Sequence, residues 1–248
     1  MALLVFGHER EARNSDAPAR SSRGGGGITD DGDNITDWCL SQFRDHYPEL
    51  DLNKDDIWHY LYGVMHAPDW RERYKHDLQR SLPRVPLAAH FEAFRRAGEE
   101  LMALHIGYET CPEHPEVVCE VDGVPDEGNH PDTEVYRLGK LRWGKNPDNP
   151  REHDQSVLEV NDRCRLTGIP PQTHIYEVSG RSPLEWMVNA LTVKTDKDSG
   201  VVDDPNGWHA WADEPFELIR HLRRLAYVGT RSAEIITTLP PSLPDADG

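Results

Sequence analysis

The spacing of apolar residues changes at Gly107, and that change limits the fold more than any other feature of the chain. Before it, the text keeps a helical period. In "NKDDIWHYLYGVMH", Ile57, Tyr60, Leu61 and Val64 recur at i, i+3, i+4 and i+7, with Asn53 placed to cap and Asp55 and Asp56 suited to the positive first turn. Thr36 to Tyr47 reads as a short helix with Trp38, Leu40 and Phe43 as its apolar residues. Pro68 opens another through "DWRERYKHDLQR", which "LPRVP" stops, and "FEAFRRAGEELMALH" makes a fourth with Phe91, Phe94, Leu101 and Leu104 facing inward.

After Gly107, "EVVCEVDG", "TEVYRLGKLRWGK" and "SVLEVNDRCRL" are short, rich in Val, Leu and aromatics, and separated by Gly, Pro, Asn and Asp, which predicts strands and tight turns. Helical signals return at Ser182, Pro183 and Glu185, a capping-box start whose stripe is Leu184, Val188 and Leu191. "DEPFELIRHLRRLAYV" and "RSAEIITTL" predict two last helices before "PPSLPDADG" frays. Helices, then sheet, then helices, without strand–helix alternation, predict an α+β fold: an N-terminal helical segment, a small mostly antiparallel sheet and C-terminal helices. The boundaries fall at 1–33, a Gly- and Asp-rich leader too poor in apolar residues to offset chain entropy and read as disordered, at 34–107 and at 108–244.

Enzyme signatures fail one after another. "GKLRWGKN" follows the phosphate-loop pattern until Asn146 stands where Ser or Thr must ligate magnesium, and "NPDNP" follows where a helix must begin, so a twisted hairpin is the plain reading. Cys111, His114, Cys119 and Cys164 make an irregular zinc set with no CxxC, and neither HExxH nor GxSxG occurs. A metal-nuclease Glu-x-Lys and the Asn/Asp-Pro-Pro-Tyr segment of amino-methyltransferases are absent as well. The chain reads as non-catalytic, with no cofactor, no metal and reduced thiols. No apolar run approaches the roughly 18 residues of a membrane span, which predicts a cytoplasmic protein without a membrane partner.

Charge is unevenly spread. The formal net charge is -17, and residues 109–134 hold nine Asp/Glu and no Lys or Arg. The sign reverses at 136–165, with seven Lys/Arg against five Asp/Glu, at 70–84, with five against two, and at 217–231, with four against one. Lys140, Arg142 and Lys145, with Arg163 further on, interleaved with Tyr136 and Trp143 on strands and turns, have the chemistry for phosphate and base-edge contact. The plain alternative is a solvated charged face.

The words "KDDIWHYLYGVMHAPDWRERYKHDLQRSLPRVP", "FEAFRRAGEELMALHIGYE", "VYRLGKLRWGK", "YEVSGRSPLEWMVN", "VKTDKDSGVVDDPNGW" and "PFELIRHLRRL" closely resemble, in order from Asn34 to Leu243, the C-terminal specificity domain of the Type ISP restriction-modification enzymes. There one polypeptide carries a nuclease, a helicase-like ATPase, an adenine-N6 methyltransferase and the target-recognition region. The resemblance implies sequence-specific recognition of double-stranded DNA by 108–244 and docking of 34–107 on methyltransferase or helicase domains or subunits. It implies that "KTDKDSG" and "DDPNGW" form a rigidly mounted loop, in which Lys194 and Lys197 neutralise phosphates and Asn206 makes amide contacts, while Arg181 braces a turn. With no catalytic motif in this chain, a separate recognition subunit and a remnant of a longer gene are both expected forms. The competing expectation is a protein-interaction module or truncated remnant whose helices 34–107 dock on a methyltransferase or helicase core, with the acidic 109–134 segment facing solvent or blocking other partners.

Overall fold

In a computed structural model, the structure describes residues 34–79, 85–146, 148–149 and 151–243. The expected leader, 1–33, lies outside them. The described residues divide into two compact units, one lying within Ala97–Pro240 and the other made of those from Asn34 to Arg96 together with Pro241, Ser242 and Leu243.

The first unit is helical. α1 (Asp37–His46) is capped by Thr36, whose hydroxyl accepts from Cys39 N, and α2 (Lys54–His66) starts with a capping box between Asn53 and Asp56. α3 (Pro68–Tyr74) ends earlier than the sequence suggests, and a 3-10 turn follows at Asp77–Gln79. α4 (Phe91–Ile106) begins in this unit. Tyr60 stacks on Phe91 at 4.7 Å, and Phe43 meets both rings edge-on. The two tyrosine hydroxyls are satisfied by main chain: Tyr47 donates to Ala88 O and Tyr60 to Pro86 O, both at 2.6 Å. Of the apolar residues of α1, Trp38 is 72% exposed, because the helix turns only its Phe43 side to the core. The tail does not fray at once: Ser242 N and Leu243 N donate to the Asp69 carboxylate at 2.7 and 3.1 Å. Burial alone would raise that carboxyl, but these hydrogen bonds hold it below the usual range.

The second unit carries a five-stranded antiparallel sheet in the order β2-β1-β5-β4-β3. Its strands are β1 (Val118–Val121), β2 (Val124–Pro125), β3 (Arg142–Lys145), β4 (His153–Glu159) and β5 (Cys164–Thr167). One face buries Cys119, Val121, Leu158, Cys164 and Leu166 against α5 (Pro183–Ala190), capped by Ser182 with Glu185, and α6 (Phe216–Thr237). Between those helices a two-stranded hairpin pairs β6 (Lys194–Thr195) with β7 (Val202–Asp203).

Two expectations change here. The first four residues of "TEVYRLGKLRWGK", Thr133–Tyr136, are a 3-10 turn, and only the last four, Arg142–Lys145, are strand. The two expected C-terminal helices are one helix of 22 residues. Gly229 and Thr230 look like a break in sequence, but the glycine is there for proximity: a Cβ on it would come within 2.4 Å of Thr173 O, in the 3-10 turn Pro171–His174 that packs on α6.

Candidate nucleic-acid interface

Strand register brings the charges of the second unit together on the outer face of its sheet. Glu120 pairs with Arg165, Arg165 with Glu159, and Glu159 with Arg142, so one row across four strands alternates acid and base. The side chains close accordingly. Arg165 Nη2 lies 2.6 Å from Glu120 Oε2, and Arg142 Nε donates to Glu159 Oε2 at 2.5 Å, with Asp162 beside it at 3.4 Å. At the strand ends, Arg163 reaches Asp122 at 2.7 Å and Asp132 at 3.5 Å. Hydrogen bonding to these carboxylates holds the Arg142 and Arg163 guanidinium groups above their ordinary range and the Asp122 carboxyl below its own.

The acidic 109–134 segment is therefore not a bare solvent-facing band. Glu113 and Glu127 meet Arg223 at 2.9 and 2.7 Å, Glu134 meets Arg137 at 2.7 Å, and Glu120, Asp122 and Asp132 are held as above. The basic run of α6 is consumed in the same way: Arg220 and Arg224 pair with Glu217, and Arg231 with Glu100 and Glu234. Low dielectric sharpens the α6 case. Arg223 Nε and His221 Nε2 are buried without a partner among the described residues, and burial pushes the His221 and His114 rings below the ordinary histidine value.

Of the residues picked from sequence, Lys140, Lys145 and Lys197 are exposed and unpaired among the described residues. Arg142 and Arg163 are exposed but clamped. Lys194 lies in the β6–β7 hairpin, its backbone in register with Asp203. The hairpin turn is fixed by Asp196, whose Oδ1 accepts from Ser199 N and Oγ and from Asp198 N. Asn206 is spent internally, its Oδ1 accepting from Leu138 N at 2.8 Å and its Nδ2 donating to Leu138 O at 3.0 Å. That latch bolts the base of the hairpin two residues from Lys140, so the mounting expected for this loop is present, made by the residue expected to reach outward. Arg181 braces its turn, lying 4.9 Å over the Trp186 ring. Tyr136 is fully buried, with its hydroxyl bonded to Asp126 and accepting from His130 N, and Trp143 is half-buried, edge-on to His174. Tyr136 is thus withdrawn from the surface, contrary to its expected interleaving with the basic residues, and Trp143 is partly covered.

Among the described residues no three His, Cys, Asp or Glu side chains gather as a metal site, and no helix is long and apolar enough to cross a membrane. Cys119 and Cys164 touch each other in the core at 3.7 Å, and their hydrogen bond and burial push the Cys119 thiol up; Cys111 instead bonds Tyr108 O. The stretch "GKLRWGKN" runs into β3, antiparallel to β4, rather than into a loop that opens a helix.

Three comparisons bear on this arrangement. The family profile of the Type ISP C-terminal specificity domain matches residues 7–221. That match begins inside the 1–33 leader and stops short of Leu243. No curated protein matches the chain. Among solved structures, the chain is similar to a nuclease-deletion mutant of the Type ISP restriction-modification enzyme LlaGI in complex with a DNA substrate mimic, at 32% identity and a TM-score of 0.63. That match covers 77% of this chain and 14% of LlaGI. It is similar to the ATP-dependent Type ISP enzyme LlaBIII bound to DNA at 29% identity and a TM-score of 0.66, over 82% of this chain and 12% of that one. It also matches DrdV in a cryoEM DNA complex at 28% identity and a TM-score of 0.67, over 84% of this chain and 20% of that one. The chain thus spans a fifth or less of the length of these relatives.

Proposed function

Because the chain belongs to the family of Type ISP C-terminal specificity domains, we propose that it is a sequence-specific duplex-DNA recognition module of a restriction-modification system, non-catalytic by itself. Region 108–244 would meet DNA, and 34–107 would dock on methyltransferase and helicase domains or subunits that supply the chemistry. One observation carries the reading: the chain follows, at 28–32% identity over 77–84% of its length, segments of three enzymes whose structures contain DNA or a DNA mimic. The exposed lysines give it a contact surface, with Lys140, Lys145 and Lys197 free for phosphate, Arg142 on the same strand as Lys145, Lys194 on the same hairpin as Lys197, and Arg163 in the β4–β5 turn. Asn206 holds this surface in place. The net charge of -17 opposes long-range approach, so isolated binding should be weak, about 10–100 micromolar at physiological salt.

The test is a titration of labelled duplex at several salt concentrations with wild type and the Lys140→Ala/Arg142→Ala/Lys145→Ala variant, each checked for folding by thermal melting. Each phosphate contact contributes a little under one unit of log-log salt slope, and Arg142 is already held by Glu159, so loss of the two free lysines should lower the slope by about two. Equal affinity, slope and sequence preference in both folded proteins would overturn the assignment of this surface.

A protein-docking module is the second reading, favoured by two tryptophans on the helical unit, Trp38 at 72% and Trp58 at 46% exposure. Binding to a methyltransferase subunit that barely responds to salt, with no duplex binding, would select it.

A further inference from the structure

We infer that the tip of the β3–β4 hairpin is the groove-entering reader of this module and that Arg151, a residue the sequence did not single out, reads a guanine there. The inference rests on the recognition function proposed above and adds the element and the residue.

Geometry sets the tip apart from the rest of the sheet. β4 pairs with β5 only at Leu158 and Glu159, and with β3 at those same two residues and again at His153 and Asp154. Residues 155–157 are skipped, and the ribbon beyond them belongs to β3 and β4 alone. Its root is braced, since Gln155 Nε2 donates to Glu185 Oε1 at 2.9 Å and Ser156 O accepts from Ile169 N at 3.1 Å. A braced two-stranded ribbon is one of the two protein shapes that the major groove of B-DNA admits.

The tip also spends its acceptors on itself. Asn146 Oδ1 takes the Asp148 and Asn149 amides, at 2.9 and 3.3 Å, and Asn149 Oδ1 takes Arg151 N. The Glu152 carboxylate accepts from the side-chain amides of Asn149, at 2.8 Å, and Asn146, at 3.4 Å. Glu152 is therefore turned onto amides rather than onto its neighbour Arg151. Lys145 and His153, in register with each other, and Arg151 are left exposed.

Arg151 stands alone in one respect. Every other arginine described between residues 97 and 240 is held by a carboxylate or, at Arg181, lies over a ring. Among the described residues between 97 and 240, Arg151 alone presents a guanidinium fork without a partner. The tip's formal charge is balanced by Asp148 and Glu152, so attraction does not distinguish it. What does is a free planar fork, the group that bonds guanine O6 and N7 together, which a lysine cannot reproduce.

The experiment is selection of bound duplexes from a random library by the full chain, run with wild type, Arg151→Ala, Arg151→Lys and the clamped control Arg165→Ala, alongside salt titrations and thermal melts. Wild type should enrich a sequence containing a G·C pair at which Arg151→Ala loses about tenfold or more in discrimination. Arg151→Lys should keep the salt slope yet lose the same preference, and Arg165→Ala should keep the preference. If wild type enriches a sequence and both Arg151 variants keep it, the inference fails while the recognition function stands. A uniform loss across all sequences with a slope change of about one makes Arg151 a phosphate contact and likewise overturns the inference. No enrichment by folded wild type overturns the recognition function and this inference with it.

Discussion

The C-terminal helix and the tip of the β3–β4 hairpin both carry Arg or Lys, yet they use that charge in opposite ways. On α6, Arg220, Arg223, Arg224 and Arg231 all meet carboxylates, and Arg223 ties two glutamates of the acidic segment to the helix. On the hairpin, Lys145 and Arg151 meet none among the described residues. A count of positive residues cannot tell these regions apart; the distance to the nearest carboxylate does. Charge satisfied inside the molecule supports the fold, and charge left open supports contact with something else.

The largest expected effect falls on the α6 side. Arg223→Ala should cost about 2 to 3 kcal/mol of stability in denaturant unfolding, somewhat under the usual cost of breaking a buried pair because Glu127 is largely exposed, and duplex affinity per folded molecule should not change. A loss of affinity without a loss of stability would reverse the roles assigned to the two regions.

Acid should sharpen the contrast with an intermediate effect. His221 lies on α6, and His114 N donates to Arg223 O at 3.2 Å. Burial lowers both rings in the folded state, so between their ordinary value near 6.5 and their lowered values the unfolded chain binds more protons. The stability they contribute is complete above about pH 6.5 and is lost as pH falls through the lowered values. Melting temperature should therefore drop by several degrees from pH 7 to pH 5, and His221→Phe should flatten that decline. A melting temperature that rises over this window would contradict the sign.

The smallest effect belongs to the hairpin. Lys145→Ala and Arg151→Ala should each change stability by less than about 0.5 kcal/mol, since neither side chain is buried or paired. A larger loss in melting experiments would mean that the tip is structural after all.

What could be read beforehand divides along similar lines. The capping boxes at Asn53/Asp56 and Ser182/Glu185 involve residues three apart, and the sequence displays them directly. The pairs Arg137–Glu134 and Arg231–Glu234 are likewise three apart, but the clamp on Arg165 lies 45 residues away at Glu120 and a second one on Arg231 lies 131 residues away at Glu100, so the local pattern alone does not separate a clamped arginine from a free one. Gly229 misled for the same reason: the partner that requires it, Thr173, is distant in sequence, and only packing shows that the glycine continues a helix rather than ending one. Asn206 had the right composition for an outward amide, and the main chain of Leu138 claimed it.

The three residues skipped between the two stretches of β3–β4 pairing carry a consequence for how such a domain can diverge. Strand register normally transmits a length change along the whole ladder, because a shift of one residue turns every following side chain to the other face. Here residues 155–157, which have no partner in β3, separate the Arg142–Glu159 rung from the pairing at Lys145 and His153. A change of length between Lys145 and His153 would leave that rung in register, so the hairpin tip can vary in length and sequence while the strands beneath it keep their pairing.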